Sequence, residues 1–357
     1  MQPPTPSRRK PTKNPPQTRR EFLAKAALLT GGILTFGLPL PFRQSRSALA
    51  AARPQAAGIR YILELGGQIA GPISSLDSGF ISGQVIEHPS TQSSYPQKQL
   101  AGILYEDIAM KCGQTMSPAL YQWIQQTLAG PPSQRSGAIL TTNLNNQITD
   151  RKQFEDALLT EVTFPALNAL AATTPVALGL TIKSSQLTYQ GGSGSQIGVP
   201  LAPKVSPWLA SNFRLMIDGL EQACNFVTQV EPILWKRAVT QSPVGARHAP
   251  VVTSGQIQTS PLVITLPQSQ AAQFTQWFYQ FVVQGQASDA DERSGTLEYL
   301  TSDRQARLFT LRFEHLGILR MSPVPQSEAS GNPLVKVEMY FESLQLTEYP
   351  GGGSPNR

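Results

Sequence analysis

The sequence predicts a mainly β protein built as two tandem copies of one unit, each a β-sandwich or small open barrel with one covering helix. Three observations predict it. The stretch "ALYQWIQQTLAG", Ala119 to Gly130, returns as "QFTQWFYQFVVQG", Gln273 to Gly285, with Trp123 and Trp277 154 residues apart. The strand-like runs alternate apolar and polar residues, the pattern of antiparallel strands with one wetter face. A chain of 357 residues with 40% hydrophobic content is also long enough to bury two ordinary cores.

The helices are the firmest elements. Ser117 and Ser269 are placed as N-caps, and Pro118 suits a first helical turn. Leu120, Trp123, Ile124 and Leu128 form one apolar stripe, and Phe274, Trp277, Phe278 and Phe281 form its counterpart. Such stripes are buried against a sheet, so both tryptophans are read as core.

The strands repeat around the helices. "RYILELGG" from Arg60 and "RLMIDGLE" from Arg214 each run into a glycine turn, again at a spacing of 154. Ser136-Gly137 and Ser294-Gly295 each open a strand, and Gln186-Leu187-Thr188 returns as Gln345-Leu346-Thr347. Leu178, Leu180 and Ile182 share one parity before Leu187 and Tyr189 take the other; Val335, Val337, Met339 and Phe341 give way to Leu344 and Leu346 in the same manner. A shared change of parity predicts a bulge or bend at the same place in both copies, hence an internal duplication. Each copy is expected to hold six or so strands.

The domain limits follow from composition. Residues 1–50 carry a Pro-rich start and a signal segment, 51–58 a flank, 59–190 the first folded block, 191–211 a linker beginning "GGSGSQIGVPLAPKVSP", 212–349 the second block, and 350–357 a loose tail.

Charge is uneven along the chain. Residues 1–50 hold 9 Lys+Arg against Glu21, so the remaining residues hold 20 bases and 22 acids, with no basic face for phosphate contacts. A nucleic-acid partner is not expected. Thr18-Arg-Arg-Glu-Phe-Leu, with Arg19, Arg20, Phe22 and Leu23 before a moderately apolar run and Ala48-Leu49-Ala50, resembles a twin-arginine export signal. A general secretory signal, a retained anchor and a basic tail are the alternatives. The segment is expected to be the only contact with a membrane, and the body to work across it.

Catalytic patterns are thin. His88, His248 and His315 lack metal-ligand spacing; His88 and His248 are placed in loops and His315 in a strand, each structural or solvated. The acids Asp289, Asp291 and Glu292 lack a calcium-loop period and read as a solvated turn. "GGSGS" lacks the spacing of a nucleophile elbow, though a Ser-His-Asp set distant in sequence stays open. No catalytic residue, cofactor or metal ligand is assigned. Cys112 and Cys224 read as two buried free thiols, with a single bridge the alternative.

A strand ending in Asp218-Gly219, a helix containing Trp277 and the terminal strand "MYFESLQLTEY" together resemble the tail tube proteins of contractile phages and contractile injection systems. The first copy matches more loosely, with Glu64-Gly66 for Asp-Gly and Lys183 where Glu342 stands. The resemblance spans nearly all of both blocks. It implies a β-barrel-like subunit with one helix, six of which form a ring around a lumen, with rings stacking into a tube. Exposed sheet edges would then be completed by neighbours. It also implies interface roles for the loop segments 89–102, with Tyr95, Pro96 and Lys98, and 242–258, with Arg247 and His248. Family subunits are single domains assembled in the cytoplasm, whereas this chain is a tandem behind an export signal. Three chains would supply a six-domain ring, and six chains two stacked rings. The implied function is a non-enzymatic structural subunit of a tail-like tube, hub or filament, partnered by itself and by other tail-like components. The alternative is an exported ligand-binding module or hydrolase that uses the fold as a monomer.

Overall fold

The computed structural model describes residues 59–89, 94–113, 116–198, 208–242, 251–325 and 332–347. Its first half runs β1 (Arg60–Leu65), β2 (Gln68–Ser78), β3 (Ile81–His88), β4 (Gln97–Tyr105), β5 (Ile108–Cys112), α1 (Pro118–Leu128), β6 (Gln134–Thr142), β7 (Ile148–Phe164), β8 (Leu167–Asn168), β9 (Leu178–Lys183) and β10 (Gln186–Gly191). The second half runs β11 (Phe213–Ile217), α2 (Glu221–Cys224), β12 (Gln229–Val230), β13 (Ile233–Ser242), β14 (Val251–Thr259), β15 (Leu262–Pro267), α3 (Ala272–Phe278), β16 (Arg293–Leu300), β17 (Arg307–Pro323), β18 (Leu334–Tyr340) and β19 (Ser343–Thr347). The fold is mainly β, with more strands than the six or so expected per half.

All the described pairings are antiparallel, as the alternation predicted. In the first half β7-β6-β1-β2-β5-β9 closes into a barrel when β9 returns to pair with β7. The second half has the same order, β17-β16-β11 on one side and β17-β18-β15-β12 on the other, but among the described residues no pairing closes it between β11 and β12. The helix α2 follows β11 there, where the first half makes a direct hairpin from β1 to β2. That hairpin turns on Gly66 and Gly67, both with positive φ (56° and 81°), the requirement of a tight two-residue turn matched to strand twist.

Register shows how the halves correspond. Leu65 and Ile217 lie opposite Gly137 and Gly295, and Gln186 and Ser343 lie opposite Glu155 and Glu314. The first strands therefore correspond at a spacing of 152, not 154, and the last at 157, so that Leu187 matches Leu344 rather than Leu346 and Lys183 matches Tyr340 rather than Glu342. The expected parity change is the bend between β9 and β10, repeated between β18 and β19: each pair of strands runs end to end along one edge of β7 or β17. Irregular positions repeat as well. Pairing shifts between Leu159 and Glu161 in β7 and between Ile318 and Arg320 in β17, and Asp156 and His315 both take a left-handed backbone conformation (φ 47° and 56°).

The helices differ from expectation in detail. Ser117 stands at the N-cap of α1 but makes no side-chain cap bond, and Pro118 opens the first turn. Ser269 is not a cap: a 3₁₀ turn, Gln268–Gln270, comes first, and Ala271 precedes α3. The helix then widens into one π turn, Tyr279–Val283, and Trp277 and Phe281 stay on the buried side. Both Trp123 and Trp277 are core residues.

The segment expected as a linker is tied down where it is described. Gly192 and Ile197 donate to the Thr149 and Asn146 carbonyls, and Trp208 is buried. Its indole meets Phe309 edge-on at 5.4 Å, while Tyr121 of α1 and Phe164 of β7 approach the same ring at 6.0 Å. One apolar core therefore runs through both halves. Cys112 and Cys224 are free and buried, and burial pushes each thiol up to about 12. Among the described residues no helix is long and apolar enough to cross a membrane.

Candidate assembly surfaces

The segments read as long loops are hairpins. Gln97–Tyr105 pairs with Ile81–His88, and Val251–Thr259 pairs with Ile233–Ser242. Serine and proline at the first tip hide the strands on either side. Lys98 lies in β4 opposite Glu87, 3.1 Å from its carboxylate, and His88 ends β3 rather than sitting in a loop. Tyr95 and Pro96 are exposed at the tip. Arg247 and His248, like Arg19, Arg20, Phe22 and Leu23, lie outside the described residues.

The two hairpins are built alike and placed differently. Ile81 opposes Tyr105 and Val85 opposes Leu100; at the same spacing of 154, Trp235 opposes Thr259 and Val239 opposes Ser254, with a bulge between these pairs in both. The second hairpin is docked. β13 adds to the edge of β7, Ile233 opposite Phe164, Leu234 opposite Thr163, Trp235 opposite Val162 and Lys236 opposite Glu161. Lys236 and Glu161 lie 3.5 Å apart across that seam.

Trp235 and Arg237 point to the same side of β13, since every second residue shares a face, and both are buried there (2% and 3% exposed). The Arg237 guanidinium lies 5.2 Å from the Trp235 ring and donates to the Thr127 and Gly130 carbonyls at the C-terminal end of α1. A cation placed on the negative end of a helix satisfies carbonyls the helix cannot. The seam thus joins a strand edge, a helix end and an aromatic plug.

Among the described residues the first hairpin has no such seat. β3 and β4 pair with one another as a separate two-stranded sheet. Ile81 is 38% exposed where its counterpart Trp235 is buried, and Val85, Leu100 and Ile103 on the same face are exposed too. A contiguous exposed apolar face of this kind marks an interaction surface.

Asp289 and Asp291 lie exposed in a turn, as expected, and Glu292 alone departs from it. Glu292 is buried (side chain 2% exposed), 2.8 Å from His315 Nδ1, and accepts a 2.5 Å bond from the Tyr340 hydroxyl. Asp291 accepts from the Ser288 amide and hydroxyl. The bond to Glu292 raises the His315 pKa above its ordinary value. Its unusual φ is not a sign of a strained catalytic group, because Asp156 takes the same conformation at the matching bulge of β7. We read the trio as a clamp that ties the turn leading into β16 to β17 and β18. A raised folded pKa stabilises while the imidazole is protonated, in full below about 6.5 and lost as pH rises through the folded value. His315→Asn keeps a residue that accepts this backbone. Urea midpoints should separate wild type from this variant more at pH 5.5 than at pH 8.5; an equal gap at both would refute the clamp.

A cleft of about 930 Å³ lies between Gln125 and Gln126 of α1 and the second-half strands. Its charges are paired with each other, Arg307 with Glu298 at 2.8 Å and Arg312 with Glu314. Among the described residues no three His, Cys, Asp or Glu side chains gather as a metal site.

No protein-family model matches the chain, and no curated protein matches it. Several solved structures resemble parts of it. A sheath/tube terminator of an extracellular contractile injection system, PVC, in the extended state is 18% identical over 44% of this chain and 99% of that one, with a TM-score of 0.32. The tube-terminating cap of the anti-feeding prophage is 17% identical over 46% and 99%, with a TM-score of 0.30. A chain of the anti-feeding prophage baseplate is 12% identical over 38% and 89%, with a TM-score of 0.29.

Proposed function

We propose that this protein is a non-enzymatic structural subunit of a tail-like tube, hub or filament, and that it works by joining to itself through strand edges. One observation carries the reading: the halves of the chain are joined by a strand of one extending the sheet of the other, β13 on β7, while the matching hairpin of the first half stands free with its apolar face exposed. A unit that meets its neighbour in this way once is equipped to do so again. The repeated pairings, bulges and left-handed positions support an ancestral duplication of a single barrel-plus-helix unit. Three chains then contribute six barrels to a ring, and the tail-tube resemblance of the sequence gives that ring its lumen. The export segment ahead of the first barrel directs the subunit across a membrane before it assembles.

Light scattering and negative-stain microscopy of the full chain at about 10 μM test the reading. Closed three-chain particles, or stacks of them, are the expected result. A monodisperse monomer would overturn it and favour the monomeric binding module.

A further inference from the structure

We propose that the β3–β4 hairpin of one copy of this chain adds to the free edge of β17 in a second copy, repeating between chains the seam that β13 makes with β7 within one. The inference rests on the assembly reading above and names its contact.

The acceptor is as well defined as the donor. Along β7, one edge carries β10 and then β9, and the other carries β6 and then β13. Along β17, one edge carries β19 and then β18, and the other carries β16, ending at Leu316. Among the described residues no strand follows β16 on that edge, so Arg320–Pro323 lack the partner that Glu161–Phe164 have in β13. Leu319 beside them is half exposed. An unpaired edge next to an apolar side chain is a template for strand addition.

The helix ends match in the same way. α1 is buried through Leu128, and its last carbonyls are covered by Arg237. The corresponding turn after α3 leaves Val282 and Val283 exposed. Gly83, which stands where Arg237 stands in the other hairpin, brings no cation. Around it Val85, Leu100 and Ile103 offer an apolar face to those valines. Transferring the internal register sets Ile81 opposite Met321, Ser82 opposite Arg320 and Phe80 opposite Ser322. Donor and acceptor are different surfaces, so the contact is head-to-tail, and each chain has one of each.

The full chain carrying Ser82→Cys and Arg320→Cys tests the register. Mild oxidation should give covalent dimers and trimers on non-reducing gels, while Ser82→Cys with Ser322→Cys, two residues out of register, gives at least tenfold less. The native thiols are buried and protonated, and do not compete. Ile103→Glu, at an exposed position, should weaken assembly at least tenfold in concentration with the melting temperature of the dissociated chain unchanged. If particles form but the two cysteine pairs cross-link equally, or not at all, or if Ile103→Glu assembles like wild type, this seam is wrong and the assembly reading stands. If the wild-type chain is a monomer, both fail.

Discussion

Replacing Phe309 by alanine is expected to remove about 3–5 kcal/mol of stability and still leave a single unfolding transition. Phe309 is fully buried in β17, stacked on Tyr299 at 4.5 Å and edge-on to Trp208 at 5.4 Å, with Tyr121 and Phe164 of the first half at 6.0 Å. Its removal withdraws contacts from α1, β7, β16 and the Trp208 segment at once, and rings this close-packed collapse only partly into the cavity. Because the lining comes from both halves, the loss is shared. Urea unfolding followed by far-ultraviolet circular dichroism and by tryptophan fluorescence should give coincident curves shifted together. Two separated transitions, with one unmoved by the substitution, would show that the halves unfold independently.

The second large effect is expected at the internal seam. Trp235→Ala should cost about 3–5 kcal/mol, with a local signature that a generic core lesion would lack. Trp235 fills the space between β7 and the end of α1 and carries the Arg237 guanidinium on its ring. Without the ring, Arg237 keeps its carbonyl acceptors but loses the wall that holds it, and the β13 edge loosens from β7. Amide exchange should rise chiefly at residues 233–236 and 161–164, with β1 and β2 protected as before. Exchange that rises evenly throughout the barrel would mean that the tryptophan supports the core in general and not the seam.

Much of this architecture was legible because its signals are local. Helix stripes at Trp123 and Trp277, glycine turns after β1 and β11, and alternation in β9 and β18 each lie within a few residues of chain. The spacing of the repeat was harder to read. Strand side chains have a period of two, so sliding Leu187 from Leu344 to Leu346 leaves every residue on its proper face, and the pattern alone cannot refuse the shift. Gly137 and Gly295, which follow Ser136 and Ser294, escaped that ambiguity, since the pairing sets them opposite Leu65 and Ile217.

The assembly surfaces were less legible for a different reason. Ile233 to Lys236 reads as any half-buried strand, and nothing near it in sequence says that its partner is Phe164 to Glu161 rather than a strand of its own barrel. Arg237 carries no local signal of its role, because an arginine in a strand usually faces water, whereas here a helix end 107 residues away receives it. Glu292 was read as solvated for want of any sign of Tyr340 or His315, which reach it from β18 and β17. The first hairpin hid behind its tip, residues 89–96, where serine and proline dominate.

In the assembly proposed above, the joining of both halves in one chain sets the response to dilution. The β13–β7 contact lies within one molecule, so its occupancy is governed by an effective concentration on the order of millimolar or above and does not fall as the protein is thinned out. Only the junctions between separate molecules obey mass action. Dilution of the proposed assembly would therefore part whole chains, and every species on the way apart would keep its two halves together.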